Sequence, residues 1–201
     1  MSGWDDVARW YAVQEPAERA SWRLALRLAL PRADDVVLDL GCGPGTAVRE
    51  LDRAGFGRPR WVGLDASPPM LARARALGGP VVRAEVTRVP LGDHSVDVAV
   101  AGWLLHVLPA SARRRCLGEI ARVLRPGGRC VVIVPAAPTS YLGCAARTVT
   151  RGLIGRGGAL SVPRDLAEAL TAADLAVRHD RVTHGGYTAR VLLLTPRRPP
   201  A

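Results

Sequence analysis

Residues Val36 to Leu51 read VVLDLGCGPGTAVREL, and this stretch decides the fold. An apolar run, Val36, Val37, Leu38 and Leu40, stops at Gly41-Cys42-Gly43-Pro44-Gly45, and a helix-compatible segment begins at Thr46. Glycines packed this densely mark a turn that must come close to something, because without Cβ they accept positive φ and let the backbone approach a ligand. The unpaired N–H groups at the start of the following helix face the same place. Strand, glycine loop and helix together form the first unit of a nucleotide-type binding site. Asp39 adds specificity: two positions before the first glycine it sets a carboxylate at the carboxyl end of the strand, the wrong sign for a pyrophosphate.

Downstream the chain keeps the same rhythm. A helix over Ala47 to Ala54 leads to a second strand, Arg60 to Leu64, ending in Asp65. An acidic residue ~20 positions beyond a glycine loop suits a pair of ribose hydroxyls, since a carboxylate accepts both hydrogen bonds. Ser67 is placed to cap the next helix, Pro68 to Leu77. A third strand, Pro80 to Ala84, ends in Glu85, and a fourth, Val96 to Ala101, runs into Gly102-Trp103-Leu104-Leu105-His106, where doubly wound sheets bind ligands. Ser111 to Leu124 reads as a helix ended by Arg125-Pro126-Gly127-Gly128, and Arg129 to Val134 as a fifth strand apolar enough to be buried on both faces. A helix over Pro163 to Ala173 and two strands, Val177 to Thr183 and Thr188 to Thr195, joined at Gly185-Gly186, read as a closing hairpin.

Upstream, Trp4, Val7, Trp10 and Tyr11 recur at helical spacing. A second helix opens at Glu15-Pro16, with proline at its tolerated first position, and runs to Leu30 before Pro31. Trp4, Trp10 and Trp22 read as core, and Tyr11 as the ligand candidate among these aromatics. The expected organisation is a single domain over 1–201, with an N-terminal helical cap at 1–31, a glycine-rich insertion over the site at 135–158 and a proline-rich tail at 196–201.

The 201 residues, 48% of them hydrophobic, suffice for one α/β domain with a full core. No stretch approaches the ~20 apolar residues of a membrane span, and the beginning, MSGWDDVARW, lacks the pattern of a signal peptide. Cys42, Cys116, Cys130 and Cys144 form neither CxxC pairs nor a metal spacing with the histidines, so reduced thiols in a cytoplasm are expected, with no metal. Net charge is +10, and all 28 basic residues are arginine. They are scattered apart from Arg113-Arg114-Arg115 and Arg197-Arg198, which disfavours a nucleic-acid partner.

Asp39-Leu40-Gly41-Cys42-Gly43-Pro44-Gly45, Gly63-Leu64-Asp65-Ala66-Ser67 with Met70 and Leu71, Val82 to Leu91, Ser95 to Val100, Leu105-His106 and Glu119 to Gly128 follow one another in an order and spacing that resembles the class I S-adenosylmethionine-dependent methyltransferases. The likeness is to their small-molecule group, similar to ubiquinone- and menaquinone-biosynthesis enzymes. It covers roughly Val36 to Val134. The resemblance implies a Rossmann-like α/β fold with a seven-stranded sheet, mostly parallel with an antiparallel last strand, and helices on both faces. It implies S-adenosyl-L-methionine as cofactor and S-adenosyl-L-homocysteine as product. Asp39 and the backbone of Gly41, Cys42, Gly43 and Gly45 would hold the methionine end, Asp65 the ribose hydroxyls, and Glu85 with Val86 the adenine, with Ala66 and Met70 also on the cofactor. Ala101 and Gly102 would pass near the sulfonium, and Tyr11 would cover the site. Trp103, His106 and, from the insertion, Tyr141 are the acceptor-side candidates, with His106 the candidate base.

Methyl transfer needs alignment and exclusion of water more than acid catalysis. A nicotinamide dehydrogenase would need GxGxxG, but Thr46 stands in the third-glycine position and Asp39 repels a pyrophosphate. A nucleic-acid methyltransferase would carry an Asn or Asp, two prolines and an aromatic after the fourth strand, where this chain has Ala101-Gly102-Trp103-Leu104. A non-catalytic cofactor-binding protein of the same fold is the remaining alternative. The expected partner is a small-molecule acceptor, and the expected state a monomer or homodimer.

Overall fold

The computed structural model of the chain describes residues 11–55, 59–136, 162–184 and 187–197. The elements are α1 (Tyr11–Ala29), β1 (Val36–Leu40), α2 (Thr46–Ala54), β2 (Arg60–Asp65), α3 (Pro68–Arg75), β3 (Val81–Arg83), β4 (Val96–Gly102), α4 (Ala110–Val123), β5 (Leu124–Pro135), α5 (Leu166–Ala172), β6 (Leu175–Thr183) and β7 (Ala189–Pro196). The seven strands form one sheet in the order β3-β2-β1-β4-β5-β7-β6. β1 pairs in parallel with β2 and β4, β2 with β3, and β4 with β5; β7 runs antiparallel to both β5 and β6. The Rossmann-like α/β sheet with an antiparallel strand expected from the sequence is therefore present.

Alternation along the central strands sorts the core into two layers, because successive side chains of a strand point to opposite faces. Leu38, Leu40, Ala99, Ala101, Val132 and Val134 meet Leu117 and Ile120 of α4 and Leu170 of α5. Val37, Val98, Val100, Val131 and Ile133 meet Trp22 and Leu26 of α1, Leu51 of α2 and Leu71 of α3. With both faces covered, apolar residues can run almost without interruption, as they do in β1 and β5.

Two boundaries differ from the sequence expectation by more than a turn of helix. α1 does not open at Pro16 but at Tyr11, so the proline lies inside the helix. A proline there removes one backbone hydrogen bond and crowds the carbonyl four residues earlier. Tertiary contacts on either side hold the helix through it. Glu15 accepts hydrogen bonds from Arg49 (2.7 Å) and Arg53 (3.3 Å), and Trp22, Leu26 and Ala29 are buried beyond it. Secondly, Arg125 to Gly128 do not separate α4 from β5 but belong to β5, which starts at Leu124 in extended conformation. The pairing shifts register between Val96↔Leu124 and Val98↔Arg129, and Gly127 takes φ +78° inside that irregularity. Arg125 is held there by Asp97. Bulged pairing, rather than a loop, absorbs the extra residues.

The segment around Trp4, the insertion with Tyr141 and the Gly185-Gly186 turn lie outside the described residues. The strands flanking that turn do pair, with Thr183 opposite Ala189. Among the described residues no helix is long and apolar enough to cross a membrane.

Candidate functional site

The strand order reverses between β1 and β4, and a cavity of about 310 Å³ opens at the carboxyl ends of these strands. This is where open α/β sheets bind ligands. Its lining runs from the glycine loop (Gly41, Gly43) across Asp65, Ala66, Ser67 and Met70 to Ala84, Glu85 and Val86, and closes with Gly102, Trp103, Leu104, Val107 and Leu108.

The glycine loop is built as its sequence requires. Gly41, Gly43 and Gly45 have φ of +65°, +53° and +83°, values that L side chains rarely adopt. A Cβ on Gly41 would lie 2.9 Å from Leu104, so the loop after β4 rests directly on this turn. Gly45 caps α2, and its N–H closes the turn on the Cys42 carbonyl at 2.9 Å.

Two aspartates organise the floor. Asp65 accepts the Gly43 N–H at Oδ2 (2.9 Å) and the Ser67 N–H at Oδ1 (2.8 Å), clamping the glycine loop to the end of β2. The Ala66 N–H adds to these bonds, and the carboxylate keeps lone-pair capacity for a ligand hydroxyl. Burial raises the Asp65 pKa, opposed by these backbone N–H groups, and the Glu85 charge raises it further. Asp39 is 1% exposed, and its Oδ2 has no hydrogen-bond partner. Burial first, and then the Asp65 charge, push its pKa well above the ordinary range. An uncompensated buried carboxylate is expensive unless a cation meets it. No described residue lining the cavity is basic, although the chain as a whole carries +10. The site is thus a local acidic pole in a basic protein. It fits a cationic amino acid with a ribose and opposes a pyrophosphate, so the residues present suit S-adenosylmethionine.

The wall after β4 is aromatic. Trp103 adopts φ +56°, a left-handed conformation costing on the order of 1–2 kcal/mol. Its N–H donates to the Ile133 carbonyl at 2.9 Å. The indole lies edge-on to His106 (ring centroids 6.1 Å apart) and to Tyr187 (6.0 Å). Neither Trp103 Nε1 nor His106 Nδ1 has a hydrogen-bond partner although both atoms are buried. Burial, and after it the Arg113 charge, lower the His106 pKa to about 4, so the ring is neutral at neutral pH.

The structure brings Gly41, Gly43, Asp65, Ala66, Met70, Glu85, Val86 and Trp103 together around one cavity. Asp39 lies beneath it rather than in its lining. Cys42 faces away: its N–H donates to the Leu64 carbonyl at 2.9 Å and its thiol is buried in the core layer below the sheet. Ala101 is fully buried on the opposite face of β4, and Gly102 lines the cavity instead. Tyr11 opens α1, its side chain outside the described part. Ser67 occupies the cap position of α3 but makes no side-chain cap hydrogen bond. Leu104 lies in the stretch expected to meet a ligand, whereas the sequence gives no sign of Val107, Leu108 and Tyr187. No periodic signal marks the first two, since they belong to an irregular loop, and Tyr187 arrives from the distant β6–β7 hairpin. Among the described residues no cluster of His, Cys, Asp or Glu could hold a metal.

Residues 38–132 match the methyltransferase-domain family model. The demethylmenaquinone methyltransferase of Mycolicibacterium vanbaalenii is 38% identical over 194 residues, covering 88% of this chain and 82% of that protein. The demethylmenaquinone methyltransferase of Mycobacterium bovis is 35% identical over 147 residues, 70% of this chain and 60% of the relative's own length. Among solved structures, Burkholderia thailandensis 1,6-didemethyltoxoflavin-N1-methyltransferase, with bound 1,6-didemethyltoxoflavin and S-adenosylhomocysteine, matches with a TM-score of 0.68 over 94% of this chain and 82% of that one. At 22% identity that likeness speaks for the fold alone.

Proposed function

Because this chain belongs to the class I S-adenosylmethionine-dependent methyltransferases, in the group similar to the menaquinone-biosynthesis enzymes, we propose that it methylates a small-molecule acceptor at the cavity between Asp65 and Leu108. The observation that carries the reading is the unpartnered Oδ2 of buried Asp39 beside the glycine loop. When bound, S-adenosylmethionine supplies a methyl group on a sulfonium that departs as a neutral thioether, so the protein need not protonate a leaving group. Asp39 would meet the ammonium, Asp65 the ribose hydroxyls, and Glu85 with Val86 the adenine edge and face. The apolar Leu104, Val107 and Leu108 exclude water from the same space. Tyr11 would cover the cofactor, and Tyr141 with the 135–158 insertion would complete the acceptor side. An apolar, menaquinone-like ring is the acceptor that the relatives and the Trp103 wall favour.

Calorimetry tests the cofactor. S-adenosylhomocysteine should bind with a Kd in about the micromolar range or tighter, and NAD should give no heat; NAD binding without S-adenosylhomocysteine binding would overturn the reading.

His106 is the proposed base, ready without prior deprotonation because its ring is neutral. A base this weak contributes near the low end of general-base effects, so His106→Ala should slow turnover by roughly a hundredfold while leaving cofactor affinity nearly unchanged. The wild-type rate should not vary with His106 ionisation above about pH 5 and should fall as pH drops through about 4, where the ring protonates. An unchanged rate in the alanine variant removes His106 from the mechanism.

A further inference from the structure

Arg113 stands in a run of three arginines, yet it alone of the three is buried, at 7% exposure. Its guanidinium donates from Nη1 to the Leu105 carbonyl (2.6 Å) and the Leu108 carbonyl (2.8 Å). From Nη2 and Nε it donates to both carboxylate oxygens of Asp165, at 2.8 and 3.4 Å. The planar fork is thus divided between a loop and an ion pair, which a lysine could not reproduce. The two carbonyls bracket the residues that carry His106 and Val107 and follow Leu104, so they belong to the wall that closes the cavity and rests on Gly41. Asp165 lies just before α5, beyond the 137–161 stretch in sequence.

We infer that Arg113 is a positioning residue of the binding site, holding the Leu104–Leu108 wall against the cavity through the Leu105 and Leu108 carbonyls, with Asp165 fixing the guanidinium in place. This rests on the reading of the cavity as the cofactor site. Arg113 is not among the residues that line the cavity; it acts by denying the loop any other course. The loop has few backbone bonds of its own, such as Val107 N–H to the Leu104 carbonyl at 3.1 Å, so two charge-assisted bonds weigh heavily in its local stability. The charge of Arg113 on His106 acts in the same direction, keeping the ring neutral.

The test compares Arg113→Met, which removes both attachments, with Asp165→Asn, which weakens only the ion pair. Hydrogen–deuterium exchange on the full chain should show amides of residues 104–108 exchanging at least about tenfold faster in Arg113→Met and less than about threefold faster in Asp165→Asn. The β1 amides should be unchanged in both. S-adenosylhomocysteine affinity should fall about tenfold in Arg113→Met and less than about threefold in Asp165→Asn. Equal effects in the two variants would make Arg113 an ordinary helix-to-helix fastener and overturn the inference, as would unchanged exchange of 104–108. If Arg113→Met does not fold, Arg113→Gln carries the same contrast. Should the wild-type protein fail to bind S-adenosylhomocysteine, the cofactor reading falls, while the exchange measurement still decides the role of Arg113.

Discussion

Asp39→Asn is expected to weaken S-adenosylhomocysteine binding at least about a hundredfold, close to 3 kcal/mol, while leaving the ligand-free protein as stable as the wild type or more so. These opposite signs follow from one fact. Asp39 is buried with Oδ2 unpartnered, so without ligand its charge is a liability, and with a cationic ligand it becomes half of a buried pair. The neutral amide keeps the shape and removes both the liability and the pair. The pH dependence has a definite direction as well. The folded-state pKa of Asp39 lies above its unfolded value, so the folded protein holds more protons between the two. The Asp39 contribution to the stability of the ligand-free protein should therefore decline as pH rises from the ordinary aspartate range through the raised value, and Asp39→Asn should remove that contribution, leaving those of Asp65, of the same sign, and His106, of the opposite sign. Ligand affinity should rise over the same window, because binding a cation favours the ionised carboxylate. Thermal unfolding against pH, with and without S-adenosylhomocysteine, measures both. A variant that loses stability but keeps affinity would show that Asp39 is a structural residue and not the cofactor's counter-charge.

Gly102→Ala should destabilise the protein by about 2–3 kcal/mol, although it adds only one methyl group. The new Cβ would lie 2.2 Å from Cη2 and 2.5 Å from Cζ2 of Trp22. That ring cannot easily retreat: it is 3% exposed, packed in the core layer of α1, and its Nε1 donates to Glu18 at 3.3 Å. The strain must be relieved by moving α1 or by pushing the end of β4 into the cavity that Gly102 lines, so S-adenosylhomocysteine affinity should fall together with stability. Gly118→Ala is the control. Gly118 lies inside α4 with nothing within 4 Å of its hypothetical Cβ, and the same substitution there should stabilise by roughly 0.5–1 kcal/mol. Urea unfolding of the two variants should move the midpoint in opposite directions. A Gly102→Ala midpoint equal to the wild type would mean that Trp22 repacks freely and that α1 is not a rigid floor for the site.

The apolar runs of β1, β4 and β5, ended by glycine turns and followed by helix-compatible segments, made the α/β sheet legible in advance. Local chemistry sufficed: a strand covered on both faces needs an unbroken apolar run, and the Gly41 to Gly45 turn needs residues that accept positive φ. Asp39 and Asp65 were legible for the same reason, since their distance from the turn along the chain sets where each carboxylate lies. The boundaries that differed were those where distant contacts outweigh local preference. Pro16 is held inside α1 by Glu15 with Arg49 and Arg53 from α2. Arg125 to Gly128 are drawn into β5 by pairing with β4 and by Asp97.

Arg113 illustrates the limit from the side of charge. In a run of arginines it reads as surface, yet with Cys116, Leu117 and Ile120 it follows the apolar spacing of α4, and all four are buried. That spacing was a signal available in the chain, outweighed by the cost of burying a guanidinium alone. Only the tertiary structure supplies the Leu105 and Leu108 carbonyls and the Asp165 carboxylate that offset this cost.

By itself, then, the sequence of this protein determined the sheet, the glycine turn and the sign of the charge at the site, because each is set by residues close together along the chain. The tertiary structure decided which faces those residues present: Cys42 turned to the core, Gly102 rather than Ala101 in the cavity, Asp39 buried beneath it, and Tyr187 brought from beside β7 against Trp103 of the loop after β4. The reason is that burial and encounter are properties of packed layers, and the partners that settle them lie tens of residues away.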